Sequence, residues 1–385
     1  KGKSQTTIRH AGGNKMMKRI KVISMIVLLL SAFTPQAGFA EKSENLSIQS
    51  EAAILIDGES GQVLYEKNSE KKMYPASITK ILTGIIAIEQ GNLEDKVIIS
   101  EEARNAEGTR VYLKEGEEVP LKKLVQGLLM NSGNDAGVAI AEHLAGNVEN
   151  FTQVMNTFAE EKAGVKDSNF TNPHGLYDDN HYVTAEDMAK ITKYAMKNET
   201  FKEIVGTKEL DWKGEEWETT IINHNRLLWR YDDATGVKTG WVSKSGHTLV
   251  GSAERDGMEL IAVVLKANNA EHAYTEAGKL FDYGFEKYET SSIPAGKTYK
   301  SNGEEYELPE TLAYTKENNS EITEQVTRKG YLLIESDDEI LTSGKLEVVQ
   351  ASNGGPVKLE ENGSGDNSSW KDAIFQWFAS LFPSK

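Results

Sequence analysis

Ser77-Ile-Thr-Lys80 sets a hydroxyl and an amine three residues apart at the start of an apolar run. On a helix, positions i and i+3 share a face, so the amine can reach the hydroxyl. A free serine is a weak nucleophile until an adjacent base takes its proton. Lysine serves as that base only when desolvation or neighbouring cations lower its pKa. A helix start also offers unpaired backbone N–H groups, which favour developing negative charge. Ser-x-x-Lys alone is weak, because it recurs at Ser69/Lys72 and Ser368/Lys371. Ser77 by itself reads equally well as an ordinary N-cap. Two further segments shift the balance. Ser132-Gly-Asn134 lies between two helical patterns, where a turn aims a hydroxyl and a carboxamide into a cleft. Lys238-Thr-Gly240 occurs once, immediately before strand-like sequence. A cation and a hydroxyl followed by glycine suit an edge strand along which a peptide lies, although a plain exposed turn has the same composition. The three segments follow one another at 55 and 106 residues, a coincidence hard to explain otherwise.

The elements that must position them are legible in outline. Ala52–Asp57 and Gln62–Tyr65 read as a hairpin across Gly58-Glu-Ser-Gly61. Ser77–Gln90 reads as a buried helix closed by Gly91. Leu121–Leu129 is helical in period, a second helix follows Asn134-Asp135, and further helices are expected over 151–163 and 184–196. His247–Ala253 and Met258–Leu265 form strands joined at Glu254-Arg-Asp-Gly257, before a helical pattern over 270–288. Strands at both ends with helices between them predict one α+β domain over residues 45–288. Short apolar runs between polar turns predict a small β-rich C-terminal domain over 291–350, and a polar linker over 352–369.

These three segments resemble the low-molecular-mass penicillin-binding proteins, the serine D-alanyl-D-alanine carboxypeptidases. Supporting stretches are Pro75-Ala-Ser-Ile-Thr-Lys80, Leu129-Met-Asn-Ser-Gly-Asn-Asp-Ala136, Asn172-Pro-His-Gly-Leu176 and Gly236-Val-Lys-Thr-Gly240. The resemblance covers about Ala52 to Tyr288, and the wording around Ser132 and over 172–196 is similar to sporulation-associated Bacillus members. It implies a penicillin-binding/β-lactamase-like transpeptidase fold, an antiparallel sheet with helices. It also implies that Ser77 attacks the carbonyl between two D-alanines of a peptidoglycan stem peptide, with Lys80 as base. Ser132 then relays a proton to the leaving D-alanine, while Asn134 helps position Lys80 and the substrate amide. Lys238 and Thr239 hold the terminal carboxylate, Gly240 belongs to the same substrate-binding strand, and the backbone N–H groups of Ser77 and Trp241 form the oxyanion hole. β-Lactam antibiotics are the implied covalent inhibitors.

The sequence also departs from the family pattern. Trp241 and Val242 stand where many relatives carry a hydroxyl residue, and His224 where some place an arginine that contacts the carboxylate; Arg226 lies two residues on, and either His224 or Arg226 is open to that role. A β-lactamase would need a deacylating glutamate in a Glu-x-x-x-Asn setting after Ser132, for which there is no convincing candidate. An idle wall-binding scaffold has no need of these residues together. Endopeptidase action on crosslinks uses the same acylation chemistry.

Composition narrows the remaining classes. The 385 residues carry 43 basic and 59 acidic side chains, a net charge of −16, which argues against a nucleic-acid partner. With no cysteine there is no disulfide framework, thiolate metal site or cysteine nucleophile. The seven histidines are scattered without a His-Glu-x-x-His motif, so no metal and no cofactor is expected. His174 and His181 read as loop histidines satisfied locally. Residues 1–40 hold seven basic residues, an apolar run from Val22 to Phe33 and an exit at Gly38-Phe-Ala40, the pattern of a cleaved export signal. Its loss takes those seven charges away, leaving −23. Residues 1–15 fit neither a leader nor a fold and read as sequence upstream of a start at Met16 or Met17. At the other end, Trp370, Ile374, Trp377, Phe378 and Leu381 share one helical stripe. Residues 370–385 are therefore expected to lie in the membrane interface rather than span it. Packing on the protein's own surface is the alternative. The expected location is the outer face of the cytoplasmic membrane.

Overall fold

The computed structural model describes residues 46–337 and 339–349. The leader, the linker and the C-terminal helix expected above lie outside the described residues.

A five-stranded antiparallel sheet forms the centre, built from β1 (Ala52–Asp57), β2 (Val63–Lys67), β7 (Ala234–Val242), β8 (Gly246–Arg255) and β9 (Met258–Ala267). Its order is β2-β1-β9-β8-β7, so the two ends of this α+β segment meet where β1 pairs with β9. Both faces of the sheet are covered, which explains why its inner strands read as unbroken apolar runs. In β1, Ala52, Ile54 and Ile56 pack on one side and Ala53 and Leu55 on the other, as the two-residue period of a strand requires. One side carries α9 (Ala270–Lys287), which buries Ala273, Ala277, Leu280 and Phe281 along one stripe.

The other side carries the helices of the middle segment. These are α1 (Lys80–Gln90), α3 (Leu121–Met130), α4 (Asn134–Ala145), α5 (Val148–Ala163), α6 (Ala185–Met196) and α7 (Glu199–Gly206). Several starts are capped as their side chains suggest. Asn147 accepts from Asn150 N, Thr184 from Asp187 N and Asn198 from Phe201 N. Single turns of helix at α2 (Glu101–Arg104) and α8 (Leu227–Arg230) complete the set.

The structure corrects three of the expectations. Ser77 does not sit in the α-helix: residues 76–79 form a 3₁₀ turn and the helix proper begins at Lys80. Side chains at i and i+3 eclipse in a 3₁₀ turn, so the serine–lysine approach survives the change. Lys238-Thr-Gly240 does not come ahead of the strands but inside one, β7, which holds the edge position its composition suited. Between α7 and β7 there is also an unforeseen hairpin, β5 (Glu209–Lys213) with β6 (Glu218–Ile222). A second small pair, β3 (Lys96–Ile98) with β4 (Glu118–Pro120), brackets the loop that crosses α4.

Beyond α9 the chain is all strand, from β10 (Tyr288–Ile293) to β17 (Glu347–Val348). It begins at Tyr288, three residues earlier than the expected boundary. These strands make three small antiparallel sheets around Ile293, Tyr306, Leu308, Tyr314, Leu332, Ile334 and Leu346. Ser60 Oγ and Thr315 Oγ1, 2.7 Å apart, and a bond from Thr290 to Asp57 tie this region to the β1–β2 turn. Among the described residues, no helix is long and apolar enough to cross a membrane.

Candidate active site

The turn bearing Ser77 is held from three directions. Thr248 Oγ1 on β8 donates to Pro75 O at 2.8 Å. Strand β7 passes directly over the turn: a Cβ on Gly240 would stand 2.7 Å from Ser77 N, so only glycine allows this approach. From the far side comes the loop Asn172–Leu176. A Cβ on Gly175, whose φ is +86°, would stand 1.8 Å from Ala76 O. Ala76 itself has φ +52°, a conformation that L-residues rarely adopt and that recurs at functional turns. Gly175→Ala therefore strains the backbone and forces the loop off the serine turn. It is expected to cost at least ~2 kcal/mol of stability, measured by thermal unfolding, with slower acylation of the folded fraction.

Lys80 Nζ lies 3.1 Å from Ser77 Oγ and donates to His174 O at 2.6 Å. The lysine has no exposed surface. Burial first, and then the charge of Lys238, push its pKa well below the ordinary value, while Asp135 opposes the shift. Asp135 is itself buried, its carboxylate spent on Val111 N, Leu113 N and Ala136 N. Lys238 is also buried and donates to Thr239 O at 2.9 Å; desolvation brings its pKa down to about 7.

Ser132 sits on the turn between α3 and α4 with φ +63°, nearly buried. Asn134 opens α4, and its carboxamide donates to Glu107 O at 2.5 Å. The hydrogen bonds of Lys80 run to Ser77 and to the His174 carbonyl, not to Asn134, so the positioning of the lysine expected of Asn134 is carried by a main-chain atom. Side-chain reading missed that atom, although Asn172-Pro-His-Gly-Leu176 had drawn attention as a motif. Thr239 is half-buried on β7, and Trp241 one position beyond Gly240 is 60% exposed.

His181 is buried and His174 half-buried, and both are locally satisfied. His181 Nδ1 accepts from Thr171 N, so its proton is on Nε2, which reaches Thr79 Oγ1 at 2.9 Å. Burial lowers the pKa of His181 to about 4 and that of His174 to about 3. His224 N donates to Met130 O, just before the second motif. Partial desolvation, then Lys238, Arg226 and Lys80, lower the His224 imidazole to about 4, although the residue as a whole is exposed. Arg226 stacks over Trp229, 5.2 Å from the ring centre. Among the described residues, no group of three His, Asp or Glu side chains is arranged to hold a metal.

A serine on a tight turn, a buried lysine within reach of it, and a sheet edge bearing a second buried cation define a serine-type hydrolase site with an amine as the nearest base. The comparisons make the class specific. Residues 39–269 match the family model for D-alanyl-D-alanine carboxypeptidases. The chain is 36% identical over 288 residues to D-alanyl-D-alanine carboxypeptidase DacF of Bacillus subtilis, covering 72% of this chain and 73% of that protein. It is 35% identical over 269 residues to DacA of Escherichia coli K12, covering 66% and 65%. Penicillin binding protein 5 of Haemophilus influenzae superposes with a TM-score of 0.70 at 31% identity, covering 78% of this chain and 97% of that structure. The chain belongs to the D-alanyl-D-alanine carboxypeptidase family and is a serine-type peptidase of that family.

Proposed function

We propose that this protein removes the terminal D-alanine from peptidoglycan stem peptides through an acyl-enzyme on Ser77, and that β-lactams trap it at that stage. The observation that carries the reading is Lys80 Nζ, fully buried and 3.1 Å from Ser77 Oγ. Ser77 Oγ attacks the carbonyl between the two D-alanines and its proton passes to Lys80. The C–N bond breaks as the leaving amine takes a proton through Ser132, and water then releases the acyl group and restores the serine. Asn134 holds the substrate amide, and Lys238 with Thr239 holds the terminal carboxylate. The N–H groups of Ser77 and Trp241 receive the oxyanion; the closeness of Gly240 to Ser77 N supports that pairing. The test is incubation with labelled penicillin and with a peptide ending in D-Ala-D-Ala, with and without EDTA. A stable adduct on Ser77 and D-alanine release, both indifferent to EDTA, are expected. Release that EDTA abolishes, or rapid turnover of penicillin, would overturn the reading.

The two lysines predict a pH profile. Lys80 must be neutral to take a proton, whereas Lys238 must be charged to hold a carboxylate. In the free enzyme Lys238 loses its proton near pH 7, so kcat/KM is expected to fall as pH rises through that value. In Lys238→Arg the cation persists, and the alkaline fall should move above pH 9. An unmoved limb would assign it to another group.

We also propose export and a peripheral hold on the membrane through residues 370–385. The family match beginning at residue 39, beside the expected cleavage after Ala40, supports export. A chain ending at Asn367 should stay active and leave the membrane fraction. Pelleting with membranes at high salt would rule the anchor out.

A further inference from the structure

Outside the groups already assigned, the surface next to Ser132 and Asn134 carries a built feature. The loop over 105–114 is pinned to the second motif by its main chain. Asn134 N donates to Thr109 O at 2.7 Å and Asn131 Nδ2 to Arg110 O at 3.0 Å. The Asp135 carboxylate grips Val111 N and Leu113 N on either side of Tyr112. Tyr112 is thereby held at φ +55°, a costly conformation for a bulky residue, and the residue is 49% exposed. An outlier held this firmly invites a functional explanation.

The ring is not alone. Trp217, at the turn of the β5–β6 hairpin, meets it edge-to-face with centroids 5.4 Å apart. Arg104–Glu216 and Lys114–Glu215 ion pairs lash the hairpin tip to the loop, and Glu215 N donates to Glu117 Oε1. Of the three cations on residues 104–114, Arg110 has no carboxylate partner among the described residues. Its guanidinium lies 5.3 Å from the Tyr112 ring centre. It donates to Arg104 O at 3.2 Å; in a chain this acidic, a cation with no carboxylate partner beside an exposed tyrosine backed by a half-buried tryptophan is a complement to an anionic ligand.

We propose that Arg110, Tyr112 and Trp217 form a shelf that receives the sugar-linked, carboxylate-bearing part of the stem peptide, so that the enzyme prefers glycan-linked substrate to free peptide. This rests on the function proposed above. Aromatic faces attract the slightly positive C–H edges of a sugar ring, and a guanidinium pairs with a carboxylate through two parallel donors. The shelf is a specificity device outside the reacting atoms.

The test compares a disaccharide pentapeptide with a diacylated Lys-D-Ala-D-Ala tripeptide. Tyr112→Gly removes the ring where the backbone conformation suits glycine, and Tyr112→Phe keeps the ring. Tyr112→Gly and Arg110→Gln are each expected to lower kcat/KM on the disaccharide substrate roughly 5- to 10-fold, mainly through KM, and to leave the tripeptide unchanged. Tyr112→Phe should behave as wild type. Equal losses on both substrates, or no loss on either, would overturn the shelf. If the unmodified protein releases no D-alanine from either substrate, it is the acylation reading that has failed. The shelf is then decided by binding: the Ser77→Ala protein should bind the disaccharide pentapeptide more tightly than does the same protein carrying Tyr112→Gly. Equal binding would reject it.

Discussion

Ser77→Ala is expected to abolish both D-alanine release and the covalent penicillin adduct while leaving the fold intact. The hydroxyl projects from a 3₁₀ turn whose shape is set by other residues: Thr248 grips Pro75 O, Gly240 lies against Ser77 N, and Gly175 lies against Ala76. Removing one oxygen disturbs none of these contacts. The loss in kcat should be on the order of 10⁵–10⁶, the scale seen when a serine hydrolase loses its nucleophile. Binding should persist, because the groups proposed to hold the carboxylate remain on β7. Intact-protein mass after penicillin treatment reads the adduct, and D-alanine release reads the turnover. A surviving adduct would place the nucleophile elsewhere.

Lys80→Met is expected to be strongly damaging to chemistry and mild toward stability, a combination that separates a base from a structural cation. A buried, charged lysine would leave a deficit of paired charge when removed. The pKa of Lys80, however, is lowered by burial and by Lys238, which favours the neutral amine, and methionine matches its length. What is lost is the hydrogen bond to His174 O and the acceptor for the serine proton. A 10³-fold or larger fall in acylation is expected, since general-base assistance contributes about 10²–10⁴-fold. The melting temperature should move by only a few degrees, in line with about 1 kcal/mol for one hydrogen bond. Acylation within tenfold of wild type would exclude Lys80 as the base. Lys80→Arg tests the same point from the other side, because guanidinium holds its proton at any accessible pH.

The parts of the fold visible in the sequence are those whose physics is local. The α3 and α4 helices, the β8–β9 hairpin and the long α9 helix show their apolar period within a dozen residues. The β5–β6 hairpin was missed, although Glu209-Leu-Asp-Trp-Lys213 alternates with a period of two and Trp212 points inward. Strand β7 was obscured because Gly236 and Gly240 interrupt its β-forming residues. Glycine is required at 240 by contact with a turn more than 160 residues away, and no local rule carries that information. The same holds for His174, whose contribution to the site is a carbonyl oxygen and so does not depend on its side-chain chemistry.

The sequence by itself determined the residue types available for chemistry, their order along the chain, the alternation of strand and helix, and the absence of any thiol. Tertiary structure decided which groups meet. It brought a lysine three residues from a serine into a dry interior, where desolvation, which depends on every neighbour at once, lowers the amine's pKa. It set a second cation from an edge strand close enough to add to that shift, and turned an ordinary loop carbonyl into the lysine's second partner. The reason is one of range. Hydrogen-bonding capacity and apolar period belong to residues and short segments, whereas burial and the approach of distant charges belong only to the assembled molecule.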